Sequence, residues 1–210
     1  MNYLTSQLLI KAELEQINND LKNQRNNWED GKKTAGSYAS KVKNNLQLNR
    51  NSELSKKYAN LIKRKILSNQ LIKSFALPKL IHGIMFTQSL KNMHYGRHVD
   101  NPFMSSGRSD LSFTISLTDK DLYDGGKLII ETINSEHKFK LNAGEIIVCV
   151  GWIESYVKSI EEREYLFDLD AGAKGLLAKY GRSDELDLVF KAYSNLLRSL
   201  GNYMFILYTE

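Results

Sequence analysis

Apolar residues in the first part of the chain recur at helical spacing. Leu8, Leu9, Ala12, Leu14, Ile17 and Leu21 fall mostly three or four residues apart, which predicts a helix over 5–24 with Thr5 or Ser6 as its cap. Leu54, Tyr58, Leu61, Ile62, Ile66 and Leu67 predict a second helix from Ser52 to Ser68. A short third one, Asn69 to Phe75, stops before Pro78 because the residue ahead of a proline avoids helical backbone. The period then changes. Ile81 to Thr87 is short, apolar and strand-like. From Leu111 to Leu117 the alternation is strict, with Leu111, Phe113, Ile115 and Leu117 on one side and Ser112, Thr114 and Ser116 on the other. Such a strand packs a core with one face and lines a polar cavity with the other. The stretch 118–126 reads as a turn, with Gly125 and Gly126 as turn glycines, not phosphate binders. Lys127–Thr132 and His137–Leu141 predict a hairpin about Asn134-Ser135, and the apolar run Glu145–Ile153 predicts a buried strand containing Trp152 as a core residue.

Beyond Trp152 the helical pattern returns. Arg163–Asp170 reads as a loop or short helix, with Asp168 and Asp170 in a turn or cap role. A helical stretch starting at Leu176 breaks at Gly181. Leu186, Val189, Phe190, Tyr193, Leu196, Leu197 and Leu200 predict a helix over Asp184–Leu200, a packing or dimer element that leaves a homo-oligomer open. Helices flanking a block of short strands imply an α+β fold, not alternating strand and helix. The expected organisation is an N-terminal helical segment (1–77), a strand-rich core (78–158) and a C-terminal helical extension (159–210).

The charge is uneven. Residues 1–75 carry 14 Lys and Arg against 6 Asp and Glu, whereas the rest is slightly acidic. With no zinc-finger spacing or aromatic RNA-binding motif beside it, the basic part reads as a solvated helical surface, and a nucleic-acid partner is not expected. No apolar run is long enough for a transmembrane helix, so no membrane partner is expected. The single cysteine, Cys149, has no internal disulfide partner and sits in an apolar run as an inert buried thiol; a cytoplasmic setting fits.

Chemistry concentrates in one short stretch, MHYGRHVDNP, residues 93–102. His98 and Asp100 at spacing two share a face of an extended segment. One imidazole and one carboxylate supply two corners of a 2-His-1-carboxylate facial triad, whose open positions suit non-haem Fe(II) oxygen chemistry. The alternative is a histidine and an aspartate satisfied by ordinary hydrogen bonds. His94 reads as a supporting or structural residue.

In this setting MHYGRHVDN, RSDLSFTISLTDKDLYDGGKLIIE, LNAGEIIV, VGWIESYVKS and REYLFDLD resemble the PKHD-type hydroxylases, relatives of prolyl hydroxylases. The likeness runs from about Gly31 to about Asp170, and TAGSYASKVKNNLQL also resembles the family's leader segment. The resemblance implies a double-stranded β-helix, or jelly roll, flanked by helices. It implies Fe(II) held by His98 and Asp100, 2-oxoglutarate as cosubstrate, and ascorbate as reductant. Tyr95 and Arg108 match the family and would line the cosubstrate pocket with Ser112, Thr114 and Ser116. The implied reaction is hydroxylation of a C–H bond, with a peptide or small-molecule substrate and peptidyl proline as the family-level expectation.

The chain also departs from that pattern. GEIIV runs straight into CVGWIES, so about twenty residues of the family pattern are absent between Val148 and Gly151. That segment would carry the second iron-binding histidine and an arginine that grips the distal carboxylate of 2-oxoglutarate through two parallel hydrogen bonds. Gln88-Ser89 stands where the family has an Arg-Tyr pair. Three outcomes stay open: an inactive homologue, an active enzyme whose full chain is longer, or recruitment of His94 or His137 as a third ligand.

Overall fold

The computed structural model describes residues 3–23, 27–36, 39–118, 127–131, 134–140 and 146–201, the side chains of Lys140 and Ile146 excepted. Helix α1 (Lys11–Lys22) starts later than the apolar pattern suggests. Its first turn is held by Glu13 Oε2, which accepts from the Ile10 N–H at 3.1 Å, not by Thr5 or Ser6. Three short strands follow: β1 (Trp28–Asp30), β2 (Lys43–Asn44) and β3 (Leu46–Leu48). Helix α2 (Glu53–Ser68) is capped by Ser52 Oγ, which accepts from the Ser55 N–H at 3.2 Å. Tyr58, Ile62 and Ile66 recur every fourth residue along it and are buried. Helix α3 (Gln70–Ala76) ends at Leu77, whose φ of 43° turns the chain out of the helix ahead of Pro78.

The remaining strands are β4 (Pro78–Ser89), β5 (His94–Tyr95), β6 (Phe103–Met104), β7 (Gly107–Arg108), β8 (Leu111–Ser116), β9 (Lys127–Glu131), β10 (Glu136–Lys140) and β11 (Ile146–Ser155). Strand β4 outruns its apolar stretch because β11 pairs with it from Ile146↔Ser89 to Ser155↔Pro78, and backbone pairing does not need apolar side chains. The main sheet has the order β1-β3-β4-β11-β8 and is antiparallel throughout; β9–β10, β2–β5 and β6–β7 form separate two-stranded pairs. The hairpin closes as expected, with Glu131 opposite Glu136. The turn expected at 118–126 lies outside the described residues beyond Thr118.

Cross-strand partners share a sheet face, so the register separates two environments. Phe86, Ile147, Cys149 and Ile153 lie on the face covered by α1 and α2, in one core with Ile17, Leu21, Tyr58, Ile62 and Ile66, and Leu111, Phe113 and Ile115 pack against it. Met85, Thr87, Val148, Val150, Trp152, Ser112, Thr114 and Ser116 lie on the opposite face. The alternation of 111–117 thus divides core from open face. Burial pushes the Cys149 thiol far above its usual range, leaving it inert.

At the C-terminal end a single helix, α4 (Ile160–Tyr180), replaces the expected loop and broken helix. Ser159 Oγ caps it by accepting from the Glu162 N–H at 3.2 Å, and Arg163, Leu166, Asp170 and Ala173 form one buried stripe. Packing of that stripe overrides the glycines at 172 and 175, which lie on the exposed side. Asp170 is not a cap or turn residue; it accepts from Ser74 Oγ at 2.8 Å and Lys174 Nζ at 2.6 Å, tying α4 to α3. Asp168 is exposed on α4. Helix α5 (Asp184–Leu200) packs Tyr193, Leu197 and Leu200 against Leu77, Val157 and Leu166. No helix of the described residues is long and apolar enough to cross a membrane.

Candidate metal centre

The stretch after β5 is irregular chain, not a strand, yet it brings His98 and Asp100 together. His98 Nε2 lies 3.5 Å from Asp100 Oδ1. His98 Nδ1 lies 2.8 Å from the Gly96 carbonyl, which makes Nδ1 the donor and turns Nε2 toward the carboxylate. Asp100 is anchored from the other side, where the Trp152 indole N–H donates to Oδ2 at 3.1 Å. The hydrogen bond from His98, assisted by the one from Trp152, holds the Asp100 carboxyl below the usual carboxylate range against the opposing cost of burial. Asp100 in turn raises the His98 imidazole. One atom of each side chain is thereby tied off and the other faces its partner, the arrangement supporting bonds give to metal ligands.

Tyr95 stacks on His98, with ring centroids 3.8 Å apart and planes 14° from parallel. Lys43, opposite Tyr95 in the β2–β5 pair, places its Nζ 5.1 Å from the Tyr95 ring centroid. Ser112, Thr114 and Ser116 lie opposite Trp152, Val150 and Val148, on the sheet face whose indole holds Asp100. Ser112 and Thr114 are exposed, and Ser116 Oγ donates to the Thr118 carbonyl at 3.3 Å.

Arg108 is bound within the protein. Its guanidinium donates to both oxygens of Asp110, to Glu154 Oε1 and to the Ser155 carbonyl. Lys79 Nζ, 2.8 Å from Glu154, is the main cause that holds the Glu154 carboxyl below the usual carboxylate range. A depressed carboxylate contributes stability that is present above its unfolded value and lost as pH falls through the folded one. Glu154→Gln is therefore expected to cost about 2 kcal/mol near neutrality by leaving part of this cluster unpaired. Urea unfolding of both proteins checks this, and the gap should narrow only as pH falls below the usual carboxylate range, through the depressed folded value of Glu154.

The other histidines are placed elsewhere. The ring of His82 is used at both nitrogens, by Ser106 Oγ at 2.7 Å and the Arg108 carbonyl at 2.8 Å. His94 is exposed on β5, and His137 is half-buried on β10, its ring packed on Tyr3. Among the described residues no three His, Cys, Asp or Glu side chains converge, so the pair supplies two protein donors. Two contributors escaped the sequence reading. Trp152 reads as core, since only the register of β11 brings its N–H to Asp100. Lys43 reads as one more basic surface residue. The short Lys43–Leu48 block, where Lys43, Asn45, Gln47 and Leu48 are all buried, held the one available signal, a polar stretch that folds inward.

No family model matches the chain. It is 79% identical to a PKHD-type hydroxylase of Prochlorococcus marinus strain AS9601, across 96% of this chain and all of the relative. Identity is 72% to the PKHD-type hydroxylase of strain MIT 9312 and 58% to that of strain NATL2A, with the same coverage. Each alignment spans 221 residues, to which this chain contributes 96% of its 210, about 202. About nineteen positions of the aligned span thus have no counterpart here, the size of the segment missing between Val148 and Gly151.

Proposed function

Because the chain belongs to the PKHD-type hydroxylases, we propose that its site is that of an Fe(II)- and 2-oxoglutarate-dependent hydroxylase acting on a C–H bond, with peptidyl proline as the substrate class. The observation that carries this is the paired anchoring of His98 and Asp100, each with one atom fixed by Gly96 or Trp152 and the other directed at its partner. An imidazole and a carboxylate fit two of the three protein positions of a facial triad, and the described residues supply no third. The bound metal and cosubstrate would supply oxygen activation, with ascorbate as reductant. The chain's own residues hold and orient. Gly96 and Trp152 fix the two donors, Tyr95 covers the imidazole face, and Ser112, Thr114 and Ser116 offer hydroxyls to the cosubstrate along the open sheet face. The five-stranded sheet would be one wall of a jelly roll, and the unpaired Cys149 suits a cytoplasmic setting.

A second reading is a non-catalytic homologue that keeps the fold as a binding protein. The two-donor site and the nineteen-residue shortfall favour it. Anaerobic Fe(II) titration and succinate release with a proline-containing peptide decide between them. One Fe(II) per chain with succinate formed sustains the hydroxylase. A folded chain that does neither hands the function to the second reading.

A further inference from the structure

Among the described residues, Lys43 is a buried cation without an anionic partner. Its residue is 5% exposed, and no hydrogen bond or ion pair joins its ammonium to any described residue; the ammonium lies over the face of Tyr95, and its Cε lies at Gly31, where the buried Asn45 Oδ1 is a neutral acceptor without a partner. The nearest acid, Asp30, acts on it only at a distance and spends a carboxylate oxygen on the Lys32 N–H at 2.9 Å. Arg50 adds a second positive charge near it. Arg50 is open to solvent, makes no ion pair among the described residues, and directs one guanidinium nitrogen at Met85 Sδ at 3.6 Å, a weak acceptor. Met85 lies on the sheet face that carries Trp152. Gln47, fully buried opposite Thr87 on the same face, leaves its Nε2 donor without a partner. Lys43 thus borders the Tyr95–His98–Asp100 cluster through Tyr95, with Arg50 adding charge near Lys43 and the Gln47 donor on the sheet face that carries Trp152.

A buried charge is costly unless something pairs with it. Cations and amide donors with no internal acceptor are the complement of a carboxylate, which accepts at both oxygens. We propose that Lys43, with Arg50 at the rim, forms a carboxylate-binding site beside the His98–Asp100 pair, and that its ligand is a small dicarboxylate. The carboxylate class rests on the two cations; naming a dicarboxylate rests on the hydroxylase reading. The site supplies from the N-terminal segment the cation that the missing arginine would otherwise provide.

Isothermal titration of the intact, metal-free protein with 2-oxoglutarate and with succinate tests this, with sulfate as the control anion. Both dicarboxylates should bind, and sulfate should not displace them at equal concentration. Lys43→Met keeps the length of the side chain and removes the buried charge, so it should leave thermal stability equal or higher while weakening dicarboxylate binding by at least about tenfold. Arg50→Gln should weaken it by less. A wild-type chain that binds neither dicarboxylate, a Lys43→Met variant that binds like wild type, or equal competition by sulfate overturns the proposal. The measurement uses no metal, so a failure of the iron reading leaves its outcome unaffected.

Discussion

If His98 and Asp100 hold Fe(II) as proposed, Asp100→Ala should abolish stoichiometric Fe(II) binding, and Trp152→Phe should weaken it by about tenfold. The two expectations have different origins. In the proposed site Asp100 would be one of two protein donors, and a site reduced to His98 alone would offer ferrous iron a single imidazole and no carboxylate. The loss should exceed about a hundredfold, more than outer-shell changes alone produce. Trp152 does not face the metal position. It holds Asp100 Oδ2 at 3.1 Å, so its removal frees the carboxylate to rotate while both donors remain. Phenylalanine keeps an aromatic ring at this position but removes the N–H together with the benzo half of the indole that lies against Gly83. Anaerobic competition against a chromophoric chelator measures all three proteins. Equal affinity of Asp100→Ala and wild type, with both folded, would refute the metal assignment, and equal affinity of Trp152→Phe and wild type would refute the anchoring role of the indole.

What the sequence showed and what it concealed divide along contact distance. The Leu111–Leu117 alternation and the Tyr58-Ile62-Ile66 row are local patterns set by strand and helix periods, and both fold as read. The His98–Asp100 approach was readable because a single residue, Val99, separates the two side chains, although this stretch is irregular chain. Trp152 was not readable, since its bond to Asp100 joins positions 52 residues apart and depends on the register of β11. The continuity of α4 was hidden because its glycines weigh against helix locally, while the stabilising contacts come from α3 and α5. Lys43 was hidden for a related reason: its sequence neighbours are polar, and its burial comes from the chain folding back through Tyr95 and Gly31. The family itself was legible from its motifs.

The sheet also keeps the residues on either side of the Val148–Gly151 junction in regular structure. One ten-residue strand, β11, pairs with β4 on one side and β8 on the other, so the region around the missing residues stays knitted into the main sheet. Among the described residues strand β8 ends the sheet, and the β9–β10 hairpin stands as a separate pair.

That central seam makes Gly83→Ala the most damaging small substitution expected in the fold. Strand β4 carries one extra residue where Val150 pairs with Met85 but Trp152 pairs with His82, and Gly83 takes up the bulge at φ 64°. An alanine there would sit in left-handed backbone, at about 1–2 kcal/mol. Its Cβ would also lie 2.6 Å from Trp152 Cε3 and 3.0 Å from Cζ3, an overlap that costs about 1–3 kcal/mol more unless the indole moves. The total is about 3 kcal/mol, a large share of the stability of a domain this size. If the indole moves to relieve the overlap, its N–H leaves Asp100, so the same variant should bind Fe(II) more weakly than wild type. Urea unfolding followed by Trp152 fluorescence in a Trp28→Phe background reads both the stability loss and the displacement. Gly36→Ala is the control, since nothing lies within 4 Å of its added carbon and its stability should stay within about 0.5 kcal/mol of wild type. A Gly83→Ala protein as stable as that control would show that the bulge tolerates a side chain and that the indole is not wedged in place by it.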